Sequence, residues 1–384
     1  MRRAAVLLLV AGLLLAGGGA ACGERRDDEP RPVPIAWQEV TPSADDAIML
    51  RDVTECGGEW FVTGALRDKA GGTRPAAWTS SDARTWKPLT FAPTTFYGGQ
   101  NVVYTVACTS GRIAAVGAKT GGAHAYPRTS SWRQGPDRVL HEVRAPFELF
   151  GGPQALNVAR LDAGPGGFLI AGNRMTGAAV WTSPDGAKFT IHERAPGLAT
   201  DAAGDTWAFD SVFAPIGWVV VGGIVPAGRP DRDALGWRSV DGRDWTRLPS
   251  TEVTEKYDEL QRVTVLNGVP VAVGVVGSSF GAWRLDGDAW RPAGTFGEVQ
   301  PGGVSSVRSA VAVGDRLIVI TAGANGYAGW ISDDKGESWR AADIPTVPAG
   351  PEHAVALTAS PDGKLVLVSD DAANARIYVA ETGA

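Results

Sequence analysis

The stretch Trp237-Arg238-Ser239-Val240-Asp241-Gly242-Arg243-Asp244-Trp245 decides the fold. It reads as the end of one strand, a tight Asp-Gly turn, and a return strand opened by an aromatic residue. The same device recurs as Trp78-Thr79-Ser80-Ser81-Asp82 before Trp86, Trp181-Thr182-Ser183-Pro184-Asp185-Gly186 before Phe189, and Trp330-Ile331-Ser332-Asp333-Asp334 before Trp339. A shorter relative is Trp283-Arg284-Leu285-Asp286-Gly287 before Trp290. Recurrence at a fixed spacing marks a repeat architecture, in which each unit buries its apolar face against the next.

Upstream of each hairpin lies a strongly apolar strand that ends in Gly or a small residue. Examples are Trp60-Phe61-Val62-Thr63-Gly64, Ile113-Ala114-Ala115-Val116-Gly117, Phe168-Leu169-Ile170-Ala171-Gly172 and Trp218-Val219-Val220-Val221-Gly222. Val271-Ala272-Val273-Gly274, Leu317-Ile318-Val319-Ile320-Thr321 and Leu365-Val366-Leu367-Val368-Ser369 make seven. The five glycines, from Gly64 to Gly274, are 53, 55, 50 and 52 residues apart, the length of a four-stranded blade with modest loops. Apolar residues come in short runs punctuated by Gly, Pro and Asp, without helical spacing. The expected fold is all-β: a seven-bladed β-propeller with four antiparallel strands per blade. The last unit shows three strands, ending Ala375-Arg376-Ile377-Tyr378-Val379-Ala380, while Ile35-Ala36-Trp37-Gln38-Glu39-Val40-Thr41 reads as an outer strand. The N-terminal strand is therefore expected to close the ring by completing the C-terminal blade. The second unit, Thr129-Ser130-Ser131-Trp132 with Gly135-Pro136-Asp137, scrambles the hairpin order, so an irregular turn is expected there.

At 384 residues and 44% hydrophobic content the chain can bury a large core. A net charge of −6 with interspersed signs gives no footprint for nucleic acid. Arg2-Arg3, an apolar run over residues 4–15 and small residues up to Ala20-Ala21-Cys22 read as a secretory signal, too short in its apolar part to span a bilayer. Three segments follow: a signal peptide at 1–21, an anchor cysteine with a charged, Pro-rich tether at 22–34, and a single propeller at 35–384. Export favours a disulfide between Cys56 and Cys108, which fall eight residues before Gly64 and nine before Gly117; two buried free thiols are the alternative.

The Ser-x-Asp-Gly-x-x-Trp pattern at 80–86, 183–189, 239–245 and 332–339 resembles the Asp-box, or bacterial neuraminidase repeat, of sialidase-like propellers. The resemblance implies that the boxes are folding devices on the blade periphery, with Asp capping turn amides and Trp packing beneath. Gly19-Ala20-Ala21-Cys22 resembles a bacterial lipobox, departing from it at Gly19, where Leu is usual; the likeness implies lipidation of Cys22 and an outer-face membrane anchor, with plain secretion as the alternative. A sialidase would also need three arginines on a carboxylate, a Tyr paired with Glu, and an acid Asp, and the early Arg-Ile-Pro signature is missing. His124, His141, His192 and His353 show no metal-like pairing, the Asp-rich loops at 231–233 and 333–334 read as surface, and no cofactor is expected. What differs between units is the loops of one face. The candidate partner face comprises Arg67, Tyr97, Phe150, Arg174, Trp207, Tyr257 and Tyr327, joined in the same loops by Phe96, Phe147, Arg232 and Asn325. Aromatics beside Arg suit a protein or glycan; the competing placement for these aromatics is the hub between first strands. The expected role is a monomeric, non-catalytic binding or scaffolding module of the cell envelope, with a glycoside hydrolase or glycan-binding protein of the sialidase-like group as the alternative.

Overall fold

Seven sheets form a ring in the computed structural model, which describes residues 31–121, 126–252, 255–300, 305–323, 326–345, 350 and 352–382. The anchor cysteine Cys22, His124 and Asn325 lie outside the described residues. The inner strands of the blades are, in chain order, Ala47–Cys56, Val102–Thr109, Ala155–Gly164, Gly204–Ala214, Asp258–Leu266, Ser306–Val313 and Ala354–Ala359. Each pairs antiparallel with the apolar second strand expected for it, which pairs in turn with a third and a fourth. The last blade takes its outer strand from the other end of the chain: Gln38–Glu39 pairs antiparallel with Ala375–Glu381, setting Gln38 opposite Val379 and Glu39 opposite Tyr378. The closure starts two residues earlier than the tether boundary at 34 implies, because Val33 already bonds the outer strand of blade 6. Its N–H donates to Ala341 O (2.8 Å) and its carbonyl accepts from Asp343 N (2.9 Å).

The glycines that set the period have a steric reason. In six blades the inner strand carries a β-bulge near its middle, as between Leu50 and Asp52 or between Leu260 and Arg262. The bulge pushes a carbonyl toward the second strand. A Cβ at Gly64, Gly222 or Gly274 would collide with the carbonyl of Met49, Trp207 or Glu259 respectively. Blade 7 has no bulge and carries Ser369 at the equivalent place, while blade 6 keeps the bulge with Thr321 there, so the steric demand for glycine holds in the first five blades.

A second consequence of the inner strands is a closed ring of polar staples between neighbouring blades. The N–H of Val106 donates to Asp52 Oδ2 (3.0 Å), Leu161 N–H to Thr105 Oγ1 (3.2 Å), and Ala208 N–H to Asn173 Oδ1 (2.8 Å). Val263 N–H donates to Asp210 Oδ2 (3.2 Å), Val307 N–H to Gln261 Oε1 (2.6 Å), Leu357 N–H to Ser309 Oγ (3.0 Å), and Leu50 N–H to Asp370 Oδ2 (3.1 Å). All seven junctions are thus bridged through a backbone amide that faces the next blade and has no strand partner there; left bare, each would cost about 1–3 kcal/mol. Cys56 and Cys108 add a disulfide across the first junction, with Cα atoms 5.8 Å apart.

The repeated tryptophans tie loops to blades. Trp181 Nε1 donates to Leu149 O (2.6 Å) and Trp237 Nε1 to Gly197 O (2.9 Å), each from a fully buried ring to the loop that enters its blade. The hairpin aspartates face the other way. Asp241 Oδ1 accepts the amides of Arg243 (2.9 Å) and Asp244 (3.0 Å), and the Gly242 amide is held by Ser239 Oγ (2.8 Å). Asp82 repeats this with Arg84 and Thr85, and Asp334 with Ser338. These hydrogen bonds hold all three carboxyls below the usual range: backbone amides for Asp82 and Asp241, the Ser338 hydroxyl first for Asp334, which is lowered to about 2.

Blade 2 departs from the pattern in two ways. Its hairpin turn places Arg138 at φ +64°, where Gly186, Gly242 and Gly287 follow the aspartate of their hairpins and Ala83 and Lys335 take a similar φ, and Asp137 caps it through Val139 N (3.1 Å). It also gains a fifth strand, Phe91–Ala92, running parallel to Leu140–Val143. Parallel bridges likewise cover the outer edges of blade 5, at Ser250 with Trp290, and of blade 6, at Val33 with Ala342. Sheet edges that would otherwise invite pairing are therefore blunted.

Candidate functional site

Loops joining second to third strands and loops joining successive blades emerge on one face of the ring; the aspartate hairpins lie on the other. Three places on or beneath the loop face gather polar or exposed side chains.

The first is the hub. Carboxylates and guanidiniums line it, not the aromatics that the sequence alone offered for this place. Arg160 reaches across the channel to Asp52 Oδ1 (3.3 Å) and Asp210 Oδ1 (3.5 Å), while Arg51 bonds Asp370 Oδ2 (2.5 Å). Arg262 donates to the carbonyls of Arg308 (3.0 Å) and Gln261 (2.6 Å). Burial raises the carboxyl of Asp210 and pushes that of Asp162 up to about 7, and it lowers the Arg262 guanidinium to about 10. Ion pairs engage Arg51, Arg160, Asp52, Asp210 and Asp370, carbonyls hold Arg262, and Asp162 Oδ2 is buried without a partner, so the hub is a plug of charged groups.

The second lies between blades 4 and 5. Tyr257 OH donates to Glu259 Oε2 (2.6 Å), and Arg232 donates to the Tyr257 hydroxyl (2.8 Å) and to the same Glu259 oxygen. Gln261 Nε2 donates to Glu259 Oε1 (2.5 Å). The Arg232 guanidinium sits 5.5–5.7 Å from the ring centres of Trp207, Phe209 and Tyr257. Burial, together with the bond to Glu259, raises the Tyr257 phenol. A phenol so held is a hydrogen-bond donor with little phenolate character at neutral pH.

The third is a cleft between blades 2 and 3, with two connected lobes of about 550 and 470 Å³ that share Pro127, Thr129, Phe147, Phe150 and Gly151. Nine large apolar side chains are substantially exposed among the described residues, and four of them, Tyr126, Phe147, Leu156 and Met175, line the larger lobe. Phe96 packs at 5.4 Å against Tyr97, which lines the smaller. Exposed apolar residues crowded in a concavity differ from scattered ones, which need no explanation. The wall between blades is a single helical turn, Phe147–Phe150, clamped from below. Trp181 holds the Leu149 carbonyl, and Arg174 donates to Gly151 O (2.9 Å) while its Nε is fixed by Glu193 (2.9 Å). Phe147 is thereby presented to solvent while Phe150 turns inward against Trp181 and Phe189.

The residues expected on the partner face thus separate. Tyr97, Phe150 and Arg174 build the blade 2–3 cleft, the last two as buried supports; Trp207 and Tyr257 belong to the Arg232 cluster. Arg67 stands at blade 1, 4.0 Å from Glu352, and Tyr327 is half-buried at the start of the third strand of blade 6. No single funnel collects all seven. Sequence reasoning missed Tyr126, Arg128, Leu156 and Met175. One signal was available: Met175 is an apolar residue in the short turn between Arg174 and Gly177, where exposure is unavoidable. The Asp-rich loops are engaged internally, Asp233 with Arg229 (2.8 Å) and Asp333 with Arg316 (2.6 Å), and no cluster able to hold a metal occurs among the described residues.

No protein-family model matches the chain, and no curated protein matches it. Among solved structures it is similar to the β-propeller domain of the Trilobed protease from Pyrococcus furiosus, an open-velcro propeller, with a TM-score of 0.50, 10% identity, and 89% of this chain and 95% of that one covered. It is also similar to the Hadza microbial sialidase Hz136, with a TM-score of 0.48, 14% identity and 88% coverage of this chain; the chain spans 66% of that sialidase's length. YjhT gives a TM-score of 0.44 at 11% identity, covering 87% of this chain and 99% of that one. Such likenesses concern the propeller fold alone.

Proposed function

We propose that this chain is a non-catalytic binding module of the cell envelope, carried there by a lipidated Cys22, and that it engages a macromolecular partner through the cleft between blades 2 and 3. The observation that carries the reading is the gathering of Tyr126, Phe147, Leu156 and Met175 around one concavity whose wall is locked by Trp181 and Arg174. Anchors of this kind, pre-set on a rigid support, are what recognition surfaces use, because little ordering remains to be done on binding.

The test is crosslinking in the native envelope with full-length chain: wild type, Phe147→Asp, Met175→Asp and, on the opposite face, Val240→Asp, the last at a side chain 86% exposed. Crosslinked species present in wild type and Val240→Asp but lost in the two cleft variants support the reading. An unchanged set in all four contradicts it.

The hydrolase reading has one observation of its own, the Tyr257–Glu259 hydrogen bond beside Arg232. Against it, Arg51, Arg160, Arg232 and Arg262 each direct donors at protein acceptors, so these four do not form an open trio for a substrate carboxylate.

A further inference from the structure

The two lobes of the cleft differ in chemistry, and the difference specifies a ligand. The larger is walled by Leu156, Val158, Met175 and two prolines beside the aromatic rings of Tyr104, Tyr126, Phe147 and Phe150; its polar side chains are few, and the Asn157 side-chain Oδ1 already accepts from Asn173 Nδ2 (2.8 Å). A sugar face could stack on those rings, but its hydroxyls need partners on most of its edges, and the few polar side chains of this lobe would leave most of them bare. Aromatic, aliphatic and Met walls together suit a bulky apolar protein side chain.

The smaller lobe is cationic. The Arg128 guanidinium lies 4.7 Å from the Phe147 ring centre and 5.8 Å from that of Tyr97, so its flat face is covered while its edge stays free to donate. Its Nε is buried with no acceptor, and neither Arg128 nor Arg144 has an ion pair among the described residues. The lobe's one carboxylate makes no ion pair with them and, though ionised, offsets only one of the two positive charges. Glu142 is turned into the protein, where it accepts from Thr94 N (2.6 Å), Thr95 N (2.8 Å), Thr95 Oγ1 (2.6 Å) and Ser130 Oγ (2.9 Å).

Resting on the binding-module reading above, we infer that the cleft takes an extended protein segment in which an acidic residue neighbours a bulky apolar one. The apolar side chain enters between Leu156 and Met175, and the carboxylate meets Arg128 across the Phe147 wall, with Arg144 behind it. A guanidinium already stacked between rings forms a paired hydrogen bond to a carboxylate at little further cost in ordering.

The experiment pans a random linear-peptide library against the full-length chain. Enriched peptides are then measured by fluorescence anisotropy, each beside a twin whose Asp or Glu is replaced by its amide. Enriched sequences are expected to pair an acidic residue with Leu, Phe or Trp. The amide twin should bind wild type about tenfold more weakly, roughly 1.4 kcal/mol. On Arg128→Gln the acid and amide twins should bind alike, Arg128→Lys should restore part of the preference, Met175→Asp should abolish binding, and Val240→Asp should leave it unchanged. Because the amide twin tests the claim on unaltered protein, misfolding of a variant does not obscure the answer. No enriched peptide, enrichment without acidic residues, or equal binding of acid and amide on wild type overturns the inference. A uronic-acid oligosaccharide is the parallel probe: if it binds wild type, fails on Met175→Asp, and no peptide is enriched, the protein-segment inference falls while the cleft stands as the recognition surface. If crosslinking in the envelope is insensitive to the cleft variants, the binding-module reading itself falls.

Discussion

Asp162 in the hub carries the plainest consequence at the scale of a single residue. Its carboxyl is raised to about 7 by burial, so the folded chain holds a proton there that the unfolded chain has released above about pH 4. Folding stability from this group is therefore full below about pH 4, declines as pH rises toward 7, and is level above. Asp162→Asn keeps an acceptor for the local amides and removes the titration. Thermal unfolding should show the variant gaining on wild type between about pH 4 and 7; parallel curves across that range contradict the assignment. Asp82, Asp241 and Asp334 have the opposite sign, since their lowered carboxyls stabilise the fold above about pH 4 and lose that effect as pH falls toward 2. Residues of this second kind were legible in the sequence, because Asp beside Gly in a repeated hairpin is a local instruction. Asp162 was not, since the burial that raises it depends on the closed ring and Asp210 reaches it from the next blade.

Among the elements, the inner strand does the most to hold blades together, and its bulge explains the period glycines read from the sequence. Cys56 and Cys108 join the ends of two such strands. Their equivalence in neighbouring units could be counted along the chain, so the bridge was legible. Replacing both by Ser should lower unfolding free energy by about 2–4 kcal/mol, as expected for a cross-link closing a loop of this length, with little change in near-ultraviolet circular dichroism because the Asp52 staple to Val106 holds the same junction. A loss of native dichroism would instead mean that the staple alone does not hold the first two blades together. The loop elements were less legible. Phe147 was visible as a loop aromatic, but Met175 lies in the turn between the second and third strands of blade 3, and Tyr126 and Leu156 arrive from two further segments, both of them strand ends. Nothing in a linear spacing brings four such loops to one place; only the angular step between adjacent blades does.

For the whole molecule, closure by Gln38–Glu39 against Ala375–Glu381 joins the first and last strands of the propeller in one blade and makes the ring a closed carrier for what its loops display. Recognition on the proposed reading lies on one side of that carrier, at one of its seven junctions, while the aspartate hairpins on the other face serve folding. Hydrogen exchange on the full-length chain, with and without the envelope partner recovered by crosslinking, tests this most directly. The account predicts slowed exchange confined to residues 126–129, 147–158 and 174–177. Slowed exchange at the hairpins around residues 82–86, 240–244 or 334–339, with the cleft segments unchanged, would contradict it.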